Sequence, residues 1–179
     1  MGDFIEAAII ILAGLLLQFP VFLTIGLLLF WFMLKHAFSG KKPVLAFDYG
    51  GVLMDGNYYT EKVRINPGMK DLVSKLNRKY KTVVTTNDNS VAFPHILKTQ
   101  STDKLFERQF ISSDLGYQKP DPKYYKKMLQ ELGTSPNDVV YIDDMLENVQ
   151  SASKLGINSI HFKSKEQLVK DLSKYGISA

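Results

Sequence analysis

Val44-Leu45-Ala46-Phe47-Asp48-Tyr49-Gly50-Gly51 sets four apolar residues directly before an aspartate and a pair of glycines. An apolar run this short, cut off by turn-forming glycines, predicts a strand over residues 44–47 buried on both faces. The signal returns at residues 82–85, 139–142 and 159–162. Between the runs, helical periodicity covers residues 68–80, 122–132, 147–155 and 165–175. Strands separated by helices of this length pair in parallel, so residues 44–179 are expected to form an α/β domain with a doubly wound parallel sheet. Reacting groups in such sheets gather at the carboxyl ends of the strands.

Three of those ends carry chemistry. Asp48 follows the first strand, Thr86 with Asn87 the second, and Asp143 with Asp144 the third. Lys119 lies in GYQKPDP, residues 116–122, whose prolines stop one element and start a helix. Carboxylates converging from separate strands repel unless a cation sits among them, and hard oxygen ligands suit Mg²⁺, which also binds phosphate oxygens. A carboxylate can attack phosphorus to give an acyl phosphate, a lysine can neutralise a non-bridging oxygen, and a hydroxyl can hydrogen-bond another. Asp48, Lys119 and Thr86 suit those roles. The chain has no cysteine, which excludes disulfides, thiolate metal sites and cysteine nucleophiles. His36, His95 and His161 are not spaced as a metal site. The net charge of +4 without a long Lys/Arg run favours anionic substrates or surfaces mildly; nucleic acid is not required.

Over nearly all of residues 44–179 the sequence resembles the haloacid dehalogenase-like hydrolase superfamily. FDYGGVL (residues 47–53), VVTTN (83–87), GYQKPDP (116–122) and VYIDDMLENV (140–149) stand in the order of its four motifs, and NPGMKDLVSKL (66–76) resembles the helix between the first two. The resemblance implies a Mg²⁺-dependent phosphatase, with Asp48 as nucleophile and metal ligand. It makes the Gly50 carbonyl and Asp144 further ligands and Asp143 an outer-shell one. Thr86, with Thr85 as the less favoured hydroxyl, and Lys119 would hold the phosphoryl group, Asn87 would join them in substrate binding, and Asn148 would fix the loop after the acidic pair.

Two departures from the pattern stand out. Two residues after the nucleophile, phosphatases of the superfamily usually carry an aspartate that protonates the leaving group; here the residue is Gly50. Such assistance is worth about 10²- to 10⁴-fold, so slow turnover and a preference for aryl over alkyl phosphates are expected. Asp55 could substitute, although Asp55-Gly56 reads more simply as a turn. Residues 49–85 leave room for a flap and one helix but not for a helical cap domain, which points to an open crevice and a macromolecular or membrane-presented phosphoester. The alternative is a feeble or inert member serving as a membrane-bound binding module. A dehalogenase would leave Asp143 and Asp144 without a task.

The apolar stretch over residues 7–34 has no polar face, and as a helix it would extend about 42 Å, enough to cross a hydrocarbon core of roughly 30 Å. Residues 1–35 are therefore expected to be a membrane anchor, with residues 4–34 in contact with the lipid bilayer, and residues 36–43 a linker. Pro20 beside Gln18 admits a hairpin that enters and leaves on one side as well as a single transmembrane helix. Lys35, His36, Lys41 and Lys42 follow the run while Asp3 and Glu6 precede it, which puts the C-terminal domain in the cytoplasm.

Overall fold

Apolar residues recur at alternate positions on two opposite faces of the central strand, and that alternation organises the domain. The computed structural model describes residues 42–55, 64–88 and 90–179. The expected anchor lies outside them, as does most of the linker. Among the described residues no helix is long and apolar enough to cross a membrane.

Strands β1 (Val44–Asp48), β4 (Lys81–Thr86), β5 (Arg108–Ile111), β6 (Val139–Asp143) and β7 (Asn158–His161) form one sheet in the order β5-β4-β1-β6-β7, all neighbours parallel. Leu45 and Phe47 of β1 point to one face, where they pack with Met69, Leu72 and Leu76 of α1 (Pro67–Asn77) and Leu168 of α6 (Lys165–Ser173). Phe93 and Leu97 of α2 (Ala92–Thr99) join the same core. Val44 and Ala46 point the other way, toward Tyr124, Tyr125 and Met128 of α4 (Pro122–Leu132) and Ala152 of α5 (Leu146–Lys154). With both faces covered, β1 is buried at every residue, as its uninterrupted apolar run requires. A side chain as deeply placed as Phe47 contributes roughly 1.5–3 kcal/mol by leaving water.

Helix starts follow local chemistry. The side chains of Asn66, Asp121 and Ser164 cap α1, α4 and α6 by accepting from the backbone N–H groups of Met69, Lys123 and Gln167, and proline opens the first two helices. Helix α1 ends at Asn77 rather than reaching Tyr80, because the chain turns after Leu76, the last residue of its buried stripe. Between β1 and α1 the described residues form a short antiparallel pair, β2 (Met54–Asp55) with β3 (Arg64–Ile65). The stretch between Asn87 and Lys119, where the sequence predicts a surface helix around His95, contains that helix as α2, together with β5 and the single turn α3 (Ser112–Leu115).

The chain runs from β1 outward to β4 and β5, then returns past β1 to β6 and β7. Strand order thus reverses next to β1, and ligands of open parallel sheets bind beyond the carboxyl ends of strands at such a reversal.

Candidate active site

Register brings the predicted groups together. Phe47 pairs with Ile142 and Asp48 with Thr85, so Asp143 emerges beside Asp48 and Thr86 one residue beyond it. Asp48, Gly50, Thr86, Lys119, Asp144 and Asn148 line a single crevice of about 640 Å³, which Asn87 also borders. Thr85, the less favoured hydroxyl, is buried and donates to the Phe47 carbonyl at 3.3 Å, away from the crevice.

Lys119 is the hub. Its buried ammonium donates to Asp48 Oδ1 and to Asp143 Oδ2, the latter at 3.1 Å. Its backbone is clamped by Asn87, whose Oδ1 accepts from Lys119 N–H at 2.8 Å while its Nδ2 donates to the Lys119 carbonyl at 2.9 Å. Asn87, expected to bind substrate, therefore has both ends of its amide engaged in positioning the lysine. Asp121 and Pro122 start α4 two residues later, which ties the loop to a helix packed under the sheet.

The two neighbouring aspartates differ sharply. Asp143 is fully buried: Oδ1 accepts from Met145 N–H at 2.8 Å, Asn148 Nδ2 donates to both oxygens at 3.0 Å, and Oδ2 also accepts from the Tyr141 hydroxyl. Asp144 is partly exposed and faces the crevice. Its carbonyl accepts a hydrogen bond from His161 Nε2 at 2.9 Å; since a carbonyl only accepts, that ring nitrogen carries the proton. His161, whose spacing gave no functional signal, thus braces the turn that presents Asp144. Gly51, in the turn after β1, leaves room for the Asp144 carboxylate: its φ is +72° and a Cβ there would lie 2.2 Å from Asp144 Oδ2.

Electrostatics point to a missing positive charge. Burial pushes the Asp48 carboxyl up to about 7, against the pull of Lys119 and with reinforcement from Asp143 and Asp144. Burial, then the charge of Asp143, also raises Asp144. Burial pushes Lys119 down, but Asp48 and Asp143 together outweigh it and leave the lysine above its usual range. Oxygens of Asp48, Asp143 and Asp144 all lie within 4.8 Å of one another, faced among the described residues by one ammonium, that of Lys119. Three carboxylates against one lysine leave an excess that a divalent cation relieves, and an all-oxygen donor set of this kind fits Mg²⁺. With both Asp143 oxygens already engaged, Asp48 and Asp144 are the carboxylates of the cluster that could hold such an ion directly.

Sequence comparison agrees with this geometry: the family model described as haloacid dehalogenase-like hydrolase matches residues 45–162, from the first strand to the end of the last. The chain belongs to the haloacid dehalogenase-like hydrolase family. It is 27% identical over 115 residues to glyceraldehyde 3-phosphate phosphatase of Pyrococcus furiosus, an alignment that covers 63% of this chain and 48% of the relative. It is 37% identical over 57 residues to a sesquiterpene phosphatase of Aspergillus oryzae, covering 32% of this chain and 29% of the relative. The chain thus spans less than half the length of either. Its fold is shared with a family enzyme of Bacteroides thetaiotaomicron solved in complex with magnesium and inorganic phosphate. The TM-score there is 0.62 at 18% identity, covering 72% of this chain and 99% of the other.

Proposed function

We propose that this chain is a membrane-anchored, Mg²⁺-dependent phosphohydrolase that works through an aspartyl phosphate on Asp48. The observation that carries the reading is the convergence of a buried carboxylate, an ammonium and a hydroxyl in the crevice where two further carboxylates fit a divalent cation. An Asp48 oxygen bonds to phosphorus as the bond to the leaving-group oxygen breaks, and that oxygen departs with the electron pair. Water then attacks the acyl phosphate, releasing inorganic phosphate and restoring the carboxylate. The Lys119 ammonium and the Thr86 hydroxyl hold the non-bridging oxygens. Asp48, Asp144 and the Gly50 carbonyl would hold magnesium, with Asp143 outside them, and the ion would supply charge neutralisation at the phosphoryl group. Asn87, Asn148 and Tyr141 keep Lys119 and Asp143 in place.

Gly50 supplies no proton, so leaving groups that depart as stable anions, such as phenolates, are favoured. The short β2–β3 pair in the place where a cap would be inserted supports an uncapped, open crevice, and with it a macromolecular or membrane-presented phosphoester. Residues 1–35 serve as the anchor, residues 36–43 as a linker and residues 44–179 as the cytoplasmic catalytic domain, a reading supported by the apolar length and flanking charges. The two phosphatase relatives support the reaction class.

The test compares magnesium-dependent release of phosphate from phenyl phosphate by the full chain and by Asp48→Asn. Turnover lost by more than about 10³-fold in the variant supports the proposal. Equal rates would favour a binding module built on the same fold.

A further inference from the structure

Large apolar side chains that remain in water are informative when they cluster at a site. Six are exposed among the described residues, and four of them lie in segments that border the crevice: Val91 (86% exposed), Tyr117 (39%), Met145 (49%) and Leu146 (51%). Val91 is the cap residue of α2, in the loop that follows Thr86. Met145 and Leu146 open α5 directly after Asp144, and Tyr117 precedes Lys119 by two residues. Met145 and Ala92 belong to the crevice lining, so the apolar rim is continuous with the polar floor. Met145 is held there through its backbone, since its N–H donates to Asp143 while its side chain projects outward.

Displacement at phosphorus is in line, so the leaving group lies on the side of phosphorus opposite the attacking oxygen. Asp48 is buried at the floor, only 7% exposed, which directs the leaving group toward the mouth and past Met145. We infer that Met145 and Leu146, with Val91 next to the crevice-lining Ala92, form a subsite for an apolar leaving group, an aryl or lipid-like moiety rather than a sugar or a charged peptide. The inference rests on the phosphohydrolase reading and narrows its substrate class. It agrees with Gly50, because an aryl oxygen needs little protonation and an aromatic ring suits a rim of Met and Leu.

The experiment uses the full chain with magnesium and two probes of similar leaving-group acidity, phenyl phosphate and 2-naphthyl phosphate. The readout is the ratio of kcat/KM for naphthyl over phenyl within each protein. The expected ratio is about 10 in the wild type, as when part of the second ring leaves water, and about 2 in Met145→Ser/Leu146→Ser. Met145→Leu, which restores apolar area in another shape, should keep the ratio near its wild-type value. A wild-type ratio near one, or a ratio unmoved by the double substitution, overturns the subsite while phosphohydrolase activity stands. Absence of turnover of both probes, with wild type and Asp48→Asn alike, removes the reaction and the subsite with it.

Discussion

Gly50→Asp should convert a poor alkyl phosphatase into a competent one. Among the described residues a Cβ built at Gly50 meets only Asp48 Oδ2, at 4.0 Å, an ordinary van der Waals distance, and unlike Gly51 the residue does not lie in the left-handed region. The aspartate side chain therefore enters without backbone strain, in the crevice and near the nucleophile. A positioned general acid contributes about 10²- to 10⁴-fold, and the lower end applies where no surrounding residues are yet arranged to hold it. The expected gain in kcat on an alkyl phosphate is about 100-fold, equivalent to about 2.7 kcal/mol of barrier. On an aryl phosphate the gain should be under about threefold, because the phenolate departs without help.

Initial rates of phosphate release at saturating magnesium, measured for wild type, Gly50→Asp and Gly50→Asn on matched alkyl and aryl esters, decide the matter. Gly50→Asn controls for size and polarity without offering a proton and should leave the alkyl rate low. The reasoning is refuted if Gly50→Asp keeps its aryl activity yet gains nothing on the alkyl ester, or if Gly50→Asn gains as much. A fourth carboxylate beside a group that burial already holds near 7 should also make the variant more dependent on magnesium for thermal stability.

Three further outcomes follow from the site. Lys119→Met leaves Asp48 and Asp143 facing each other without their shared ammonium, which should destabilise the metal-free chain by about 3–5 kcal/mol, measured by urea unfolding; an unchanged midpoint would show that the lysine does not hold the pair. Gly51→Ala combines a left-handed backbone costing roughly 1–2 kcal/mol with a Cβ inside the Asp144 carboxylate, so it should lower the melting temperature and weaken magnesium binding together, both read by thermal shift with and without the ion. Asp48 is raised from 3.8 to about 7 in the folded metal-free state, so its contribution favours folding at low pH and is lost as pH climbs toward 7, where the folded group finally ionises. The metal-free melting temperature should thus fall between about pH 4 and 7 and level off above that. Magnesium, which takes the ionised carboxylate, should bind about tenfold more tightly per pH unit up to about 7, and calorimetry showing pH-independent affinity would contradict the assignment.

Strands buried on both faces are written as short runs rich in apolar and β-branched residues, which is why β1, β4 and β6, with Asp48, Thr86 and Asp143 at their ends, are legible in the sequence. Edge strand β5 is not: Arg108 and Gln109 occupy its first half, leaving only Phe110 and Ile111 as an apolar signal. Helix α2 shows in the sequence only as a surface helix around His95, its bounds obscured because Pro94 interrupts an element of eight residues, although a proline is tolerated so near a helix start. The partner of the Asn87 amide lies 32 residues away on a loop, and the hydroxyl of Tyr141 folds back onto Asp143; neither contact leaves a periodic trace.

The paired glycines show most clearly where sequence reasoning stops. Gly50 and Gly51 look alike in the chain, yet a Cβ at Gly51 would collide with Asp144, whereas one at Gly50 would meet nothing closer than 4.0 Å among the described residues. Gly51 is therefore demanded by the fold and Gly50 is not. A glycine that packing does not require, at the position where this family usually keeps its acid, bears on chemistry instead: it withholds a proton from the leaving group. That absence is tolerable only if the leaving group can depart as a stable anion, and the apolar residues at the crevice mouth suit an aryl group of that kind. The residue at position 50 and the rim at positions 145 and 146 then act on the same atom from two directions, one by what it does not donate and the other by what it can hold.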